Sequence, residues 1–167
     1  MDIWTRNNEI MRLTPRENMD VNQYWMCDHG RLDTFKFVND ESSRVNSPMM
    51  RSDDISIDND GLASCDWDDA VSRVLSELKN YKANEIAFIA SPLSTLEDNF
   101  VLKRFAKEIV GSDNIAYIPK IEGKDDKLLL RADKTPNAAG LKYLGIKPID
   151  TKFIDKFLKK EFKMLYM

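Results

Sequence analysis

Hydrophobic positions recur with a helical period in the second part of the chain. After Asp66, apolar residues occur at i, i+3, i+4, i+7, i+8 and i+11, which predicts an amphipathic helix with Asp66 as its N-cap. Ile86–Ala90 is a continuous apolar run and predicts a strand covered on both faces. A capping box at residues 94–97 opens a further helix, which ends at Gly111. This alternation of helices and strands predicts βαβ units around a parallel sheet.

The segments that follow are shorter. Residues 115–118 and 128–130 are strand candidates, whereas residues 135–140 are expected to form a loop. Asp150 is expected to cap a last helix, and residues 164–167 have the composition of a buried strand. Such a strand needs neighbours to pair its backbone, so we expect the chain to be a piece of a larger protein. The alternative is a final strand that completes the edge of the sheet.

Residues 1–66 are more polar and contain many turn-forming residues. Residues 10–13 predict a short strand that Pro15 stops, because proline lacks the N–H that a strand ladder needs. Residues 18–26 predict a brief helix, and Gly30 offers it an end. The loop and turn signals in this part are Ser47-Pro48, the Ser/Asp/Asn-rich stretch 51–60, and residues 58–61.

Composition excludes several classes of protein. The 167 residues are 43% apolar and 32% charged, an ordinary globular balance, and no run approaches the roughly 18 apolar residues of a membrane span. A net charge of -3 argues against nucleic-acid binding. Two cysteines and one histidine are too few for a disulfide scaffold or a self-contained zinc site, which favours a cytosolic context. We therefore expect that the protein neither binds nucleic acid nor inserts directly into a membrane.

Few residues suggest chemistry of their own. Cys27 and His29 are two residues apart, a spacing that aligns them poorly as a nucleophilic dyad, and Cys65 is expected to be a small packing residue. Residues 91–95 lie between a strand and a helix, where they could bind an anion or form a simple capped loop. By spacing alone, Cys27 is open to two interpretations, a metal ligand or a buried structural cysteine.

A distinctive motif spans residues 11–31. It reads Arg12-x-x-Pro15-Arg16-x-Asn18, then Val21-Asn22, then Trp25-x-Cys27-Asp28-x-Gly30-Arg31. This pattern resembles the end of the iron–sulfur domain of the molybdopterin oxidoreductase superfamily. Further segments similar to that superfamily are residues 44–51, 65–70, 91–92, 97–100 and 111–115.

The resemblance implies a fold and a cofactor. Residues 1–45 would be the C-terminal remainder of a small 4Fe–4S domain, and residues 46–167 the first βαβ units of a molybdopterin-oxidoreductase-type parallel-sheet domain of α/β class. Cys27 would be the last of four 4Fe–4S ligands, and the positions of the other three precede Met1. Arg31, and His29 if protonated, could raise the potential of the cluster, or both could be ordinary surface residues.

Two branches of the superfamily differ in the stretch after the second strand. The formate dehydrogenase branch supplies a Cys or selenocysteine metal ligand there, followed by His, whereas residues 119–140 contain neither Cys nor His. Instead, Arg131-Ala-Asp133-Lys-x-Pro136-Asn137-x-x-Gly140 resembles the large iron–sulfur subunit of respiratory NADH:quinone oxidoreductase. Members of that family of large subunits keep the fold without the metal cofactor, so we expect no molybdopterin.

The resemblance therefore favours a fragment of an iron–sulfur electron-transfer subunit of NADH:quinone oxidoreductase. It implies a component of an oxidoreductase that is not catalytic alone, partnered by other subunits of the complex. The expected location is the cytoplasm or the cytoplasmic side of the membrane, as a peripheral subunit. The alternatives are a fragment of a molybdopterin enzyme such as formate dehydrogenase, and a structural subunit-interaction module without a redox role.

Overall fold

The computed structural model describes residues 1–51, 61–126 and 131–167, and it divides the chain into two compact units. The N-terminal unit is Met1–Ser64, and the C-terminal unit is Cys65–Met167. The strand predicted at residues 128–130 and the polar stretch at residues 52–60 lie outside the described residues. The domain boundary expected at residues 45/46 stays a prediction.

The N-terminal unit begins with an antiparallel hairpin. Strand β1 (Asp2–Arg6) pairs with β2 (Glu9–Thr14) through Asn7 and Asn8, whose φ angles of 52° and 65° suit a tight hairpin turn. β2 confirms the strand predicted at residues 10–13. β1 was not predicted, because all of its side chains are exposed and the strand carries no burial pattern.

The rest of this unit is built from short elements. They are α1 (Asp28–Leu32), α2 (Thr34–Asn39), a 3-10 turn (Glu41–Ser43), and the antiparallel strands β3 (Met49–Arg51) and β4 (Leu62–Ser64). Asn39 ties α2 to the hairpin, because its side-chain amide exchanges two hydrogen bonds of 2.9 Å with the backbone of Ile10. The loop predicted at Ser47-Pro48 is confirmed.

The helix predicted at residues 18–26 is wrong. The Asn18 carbonyl accepts hydrogen bonds from the backbone N–H groups of Val21, Asn22 and Gln23, which closes the segment into a tight loop. The Asn18 side chain also accepts from the Asp20 N–H, and such local bonds compete with a helix. The helix begins later, at Asp28, so Gly30 lies inside α1 and does not end a preceding helix.

The C-terminal unit confirms the predicted α/β class. Its four parallel strands run in the order β7-β6-β5-β8. The elements in chain order are α3 (Trp67–Lys79), β5 (Ile86–Ala90), α4 (Leu96–Arg104), a π-helix (Phe105–Val110), β6 (Ile115–Tyr117), α5 (Ala138–Tyr143), β7 (Lys147–Pro148), α6 (Thr151–Leu158) and β8 (Met164–Tyr166). A 3-10 turn (Ala83–Glu85) leads into β5. The expected caps of α3 and α6 are confirmed, since the Asp66 and Asp150 carboxylates accept backbone N–H groups at 2.8 Å.

The core of this unit lies around β5, the strand that is paired on both sides. Phe88 is fully buried and contacts Phe105 edge-on, with ring centroids 6.0 Å apart, and Tyr166 at 5.4 Å. Tyr166 belongs to β8, which pairs with β5 from Ile86 to Phe88. The last strand, β8, confirms the strand expected at residues 164–167, and it lies beside β5 in the four-stranded sheet.

Two details of the helices differ from the prediction. The capping box of α4 uses Thr95 and Asp98, one residue later than expected, because the Ser94 N–H is held by the Ser91 carbonyl at 3.2 Å. Residues 135–140 are a loop only in part, since α5 begins at Ala138.

The apolar residues of the helix after β5 also face differently from the prediction. Phe100, Val101 and Ile109 are exposed, whereas Asn99 and Ala106 are buried. The π-helical turn at Phe105–Val110 holds more residues per turn and so displaces Ile109 from the face that a regular α-helix would give it, whereas Asn99, Phe100 and Val101 precede this turn. In α3, Trp67, Val71, Val74 and Leu75 of the predicted apolar face are exposed as well.

Replacing Asn99 by leucine should destabilise the C-terminal unit by about 1–3 kcal/mol, because the two hydrogen bonds that its side-chain amide donates are lost. Its side-chain nitrogen donates to the Ser91 carbonyl at 2.9 Å and to the Thr95 carbonyl at 2.8 Å, and only 1% of the residue is exposed. Urea unfolding measures the change. Asn80→Leu, at an exposed helix end, is the matched control, and equal losses in both variants would contradict the prediction.

Candidate functional site

The loop before α1 determines where Cys27 lies. The Asn22 side-chain nitrogen donates to the Arg16 carbonyl at 3.2 Å and to the Trp25 carbonyl at 3.1 Å, so one amide bridges both ends of the loop. Arg16 and Asn22 belong to the motif of residues 11–31, and they also line an open cleft of about 570 Å³. Cys27 is not among the residues that line this cleft.

Cys27 is a free, exposed cysteine at the N-cap position of α1. Its backbone is extended, with φ -64° and ψ 131°, and its carbonyl accepts the Arg31 N–H at 3.0 Å. The side chain makes no cap hydrogen bond to the helix. Of the two interpretations left open by the spacing, a buried cysteine disagrees with this structure, and the ligand role stays a prediction.

His29 faces a carboxylate at the other end of α1. Its Nδ1 lies 3.6 Å from an oxygen of Asp33, and 80% of the His29 side chain is exposed. The pKa of Asp33 is lowered, chiefly by the hydrogen bond from Lys36 and the charge of that ammonium group, with a smaller effect from His29. His29 is thus a solvent-exposed neighbour of Asp33, and its effect on a group bound at Cys27 stays a prediction.

Cys65 belongs to the other unit and is half-buried, directly before the Asp66 cap of α3. Within the described ranges, no group of three or more His, Cys, Asp or Glu side chains is arranged to bind a metal ion. A 4Fe–4S cluster takes four thiolate ligands, and the N-terminal unit contains one cysteine. The described residues therefore provide one ligand position, Cys27, and do not by themselves fit a complete cluster.

The loop at residues 91–95 has its polar groups satisfied within the protein. The Thr95 N–H donates to Asp98, and the Asp98 N–H donates to the Thr95 hydroxyl at 3.1 Å. Glu97 and Asp98 place two negative charges in the first turn of α4, where they would repel an anion. This geometry favours the capped loop over the anion site.

The motif at residues 131–140 has a packing role that the sequence did not reveal. The Asn137 side chain donates to the Ser94 carbonyl at 2.9 Å, and its backbone N–H donates to the Pro92 carbonyl at 3.0 Å. A Cβ at Gly140 would lie 2.1 Å from Asn137 Oδ1, so only glycine leaves room for that side chain. These two residues hold the loop after β5 against the start of α5.

An open cleft of about 530 Å³ lies beside this motif, along α5 and β7. Its polar lining residues include Asp133, Lys142 and Lys147, and Tyr117 contributes an aromatic wall. The pKa of Asp133 is lowered because the Thr135 hydroxyl and backbone N–H both donate to its carboxylate. The sequence indicated Asp133 only as part of the motif; no periodicity could have predicted the two lysines beside it.

Two family models match the chain. The molybdopterin oxidoreductase model matches residues 44–137, more than half of the chain. The model described as NADH-ubiquinone oxidoreductase NDSU1/NuoG-like, 4Fe-4S domain, matches residues 1–34, which include Cys27.

Curated relatives come from both branches of the superfamily. The NADH-quinone oxidoreductase G subunit of Rickettsia bellii (strain RML369-C) is 30% identical over 63% of this chain and 14% of its own length. Its counterpart in Rickettsia conorii (strain ATCC VR-613 / Malish 7) is 31% identical over 66% of this chain and 15% of its own. The alpha subunit of F420-dependent formate dehydrogenase 1 of Methanococcus maripaludis is 25% identical over 72% of this chain and 17% of its own.

The C-terminal unit is a parallel α/β sheet, and the segment that precedes it matches the model of a 4Fe–4S domain. The chain belongs to the molybdopterin oxidoreductase family. It spans about 15% of the length of the two Rickettsia relatives that it matches. In the part of the chain that the structure describes, no helix has the length and apolar character needed to cross a membrane.

Proposed function

We propose that the chain works in an iron–sulfur electron-transfer subunit of a respiratory NADH:quinone oxidoreductase. One observation carries the proposal: the NuoG-like 4Fe-4S domain match at residues 1–34 includes Cys27, a free thiol exposed at the start of α1. In this proposal Cys27 supplies one thiolate to a 4Fe–4S cluster of the full-length protein. The cluster, when bound, carries one electron at a time between donor and acceptor.

The chain's own residues then have separate tasks. The loop bridged by Asn22 fixes the entry into α1 and thereby the position of the Cys27 sulfur. The C-terminal unit acts as a scaffold, because a fold alone does not establish chemistry. The polypeptide is partnered by other subunits of the complex, as a peripheral subunit on the cytoplasmic side of the membrane.

A second candidate function is favoured by the formate dehydrogenase relative and by the molybdopterin oxidoreductase match. In that case the α/β unit would help to enclose a molybdenum or tungsten cofactor. Against it stands the composition of residues 119–140, which contain neither Cys nor His to bind such a metal. We therefore prefer the electron-transfer role in NADH:quinone oxidoreductase to the molybdopterin-enzyme role.

Metal analysis of the protein, purified anaerobically from its own cells with its natural subunits, tests the proposal. We expect iron, acid-labile sulfide and the EPR signal of a reduced 4Fe–4S cluster, with neither molybdenum nor tungsten. Protein without iron or sulfide would contradict the iron–sulfur role and leave a structural subunit-interaction module. A stoichiometric amount of molybdenum or tungsten with extractable pterin would instead support the second candidate.

A further inference from the structure

Helix α3 has an apolar stripe that the described residues leave uncovered. The stripe consists of Trp67, Val71 and Leu75, which are spaced four residues apart and so share one side of the helix. All three side chains are exposed, and 72% of Trp67 is accessible to solvent. Asp68 and Asp69 follow Trp67 directly in the first turn, and neither carboxylate has a partner among the described residues. The α3 stripe therefore begins in a negatively charged turn.

Helix α6 has a similar stripe beside the opposite charge. Ile154, Phe157 and Leu158 are spaced three and four residues apart, so they share one side of the helix. All three are exposed, and 71% of Leu158 is accessible to solvent. Lys159 and Lys160 follow Leu158 directly, and neither ammonium group has a partner in the part of the chain that the structure describes. The α6 stripe therefore ends in a positively charged turn.

Two further cations on these helices already have partners within the chain. Arg73 of α3 binds the Glu77 carboxylate at 2.8 Å, and Lys156 of α6 donates to the Asn114 side chain at 3.2 Å. In contrast, the aspartates beside the α3 stripe and the lysines beside the α6 stripe are free to bind a partner. An exposed apolar patch rimmed by polar groups is typical of an interaction surface.

We propose that the α3 stripe of one copy of this chain docks on the α6 stripe of a second copy. The apolar side chains supply the contact area. The opposite charges set the pairing, because α3 against α3 or α6 against α6 would bring like charges together. A second copy matches both stripes at once, whereas an anionic lipid surface would match α6 and leave α3 exposed. This inference does not depend on the iron–sulfur role.

Sedimentation velocity of the 167-residue chain over a range of protein concentrations tests the contact. We expect a monomer at low concentration and a larger species as the concentration rises. The association should weaken when the salt is raised from about 0.1 M to about 1 M, because the screening length falls from about 10 Å to about 3 Å. Trp67→Ser should weaken it as well, since large aromatic side chains contribute most to the energy of an interface.

Charge reversal gives the sharpest result. Lys159→Glu with Lys160→Glu makes both stripes acidic, and Asp68→Lys with Asp69→Lys makes both basic. Each variant alone should associate more weakly than the wild type by about tenfold or more, because like charges then face each other. An equimolar mixture of the two variants should associate again, because acidic stripes then meet basic ones. Mixing cannot restore an association that was lost through misfolding.

The matched control reverses two charges elsewhere in the same unit. Lys124 and Lys142 are exposed and lie outside both stripes, so Lys124→Glu with Lys142→Glu should associate as the wild type does. A mixture that stays monomeric, or reversed stripes that associate like the wild type, would overturn the proposal.

A wild-type chain that is monomeric at every concentration would overturn the proposal as well. Flotation with vesicles of phosphatidylcholine and phosphatidylglycerol then shows whether α6 binds an anionic lipid surface instead. None of these outcomes changes the iron and sulfide content that tests the proposed function, so the failure of one proposal is distinguishable from the failure of the other.

Discussion

Replacing Cys27 by serine should remove one cluster from the protein, with the loss of about four iron and four sulfide per polypeptide. A serine hydroxyl is a much poorer ligand for iron than a thiolate, because it is harder and far less acidic. Cys27 lies exposed at the start of α1 and makes no hydrogen bond that caps the helix, so the substitution leaves the packing unchanged. Iron and sulfide analysis with EPR of the anaerobic protein measures the effect.

Cys65→Ser is the matched control for this prediction. Cys65 is half-buried and belongs to the C-terminal unit, so its replacement should leave the cluster in place and lower only the stability. A Cys27→Ser protein with the wild-type iron content and EPR spectrum would contradict the ligand assignment. If the Cys27→Ser protein also assembled with its partner subunits, a structural subunit-interaction role without redox function would fit the protein better than the electron-transfer role.

Replacing Phe88 by alanine should destabilise the C-terminal unit by about 3–5 kcal/mol, the usual cost of removing a buried aromatic ring. Phe88 is 0% exposed and lies on β5, the strand paired on both sides. Its ring contacts Phe105 of the π-helix and Tyr166 of β8. The substitution would leave a cavity between these two aromatic side chains and β5. A domain is stable by only about 5–15 kcal/mol, so the loss is a large fraction of the total.

Urea unfolding of the purified protein, followed by far-UV circular dichroism, measures the change. Phe157→Ala is the matched control, because this ring is on α6 of the same unit and 55% exposed. We expect the control to lose less than about 1 kcal/mol. Equal losses in the two variants would show that the aromatic contacts around β5 do not form the core of the unit.

Local patterns predicted the elements that depend on neighbouring residues alone. Asp66 and Asp150 cap their helices as expected, because an N-cap needs only a carboxylate and the N–H groups two or three residues later. Ile86–Ala90 is the central strand, since a short run of apolar residues has to be covered on both faces. Gly111, with a φ of 80°, ends the helix as predicted.

Patterns failed where a local hydrogen bond or a change of helix type intervened. Asn18 closes a tight loop in place of the predicted helix, because its carbonyl collects three backbone N–H groups. The π-turn after Arg104 contains Ile109, which is exposed, and the 3.6-residue period cannot predict such a change of helix type. The strand β1 was missed because a hairpin with exposed side chains leaves no hydrophobic alternation.

The sequence by itself determined the family, the α/β class and the identity of Cys27 as the residue to test, because a motif is preserved as an order of residues and spacings. Only the tertiary structure decided that Cys27 is exposed and that Gly140 leaves room for the Asn137 side chain. These properties depend on which atoms of distant or folded-back segments surround a side chain. Burial and hydrogen-bond partners are set by the packing of the whole unit, so the pattern of hydrophobic and polar residues along the sequence does not specify them.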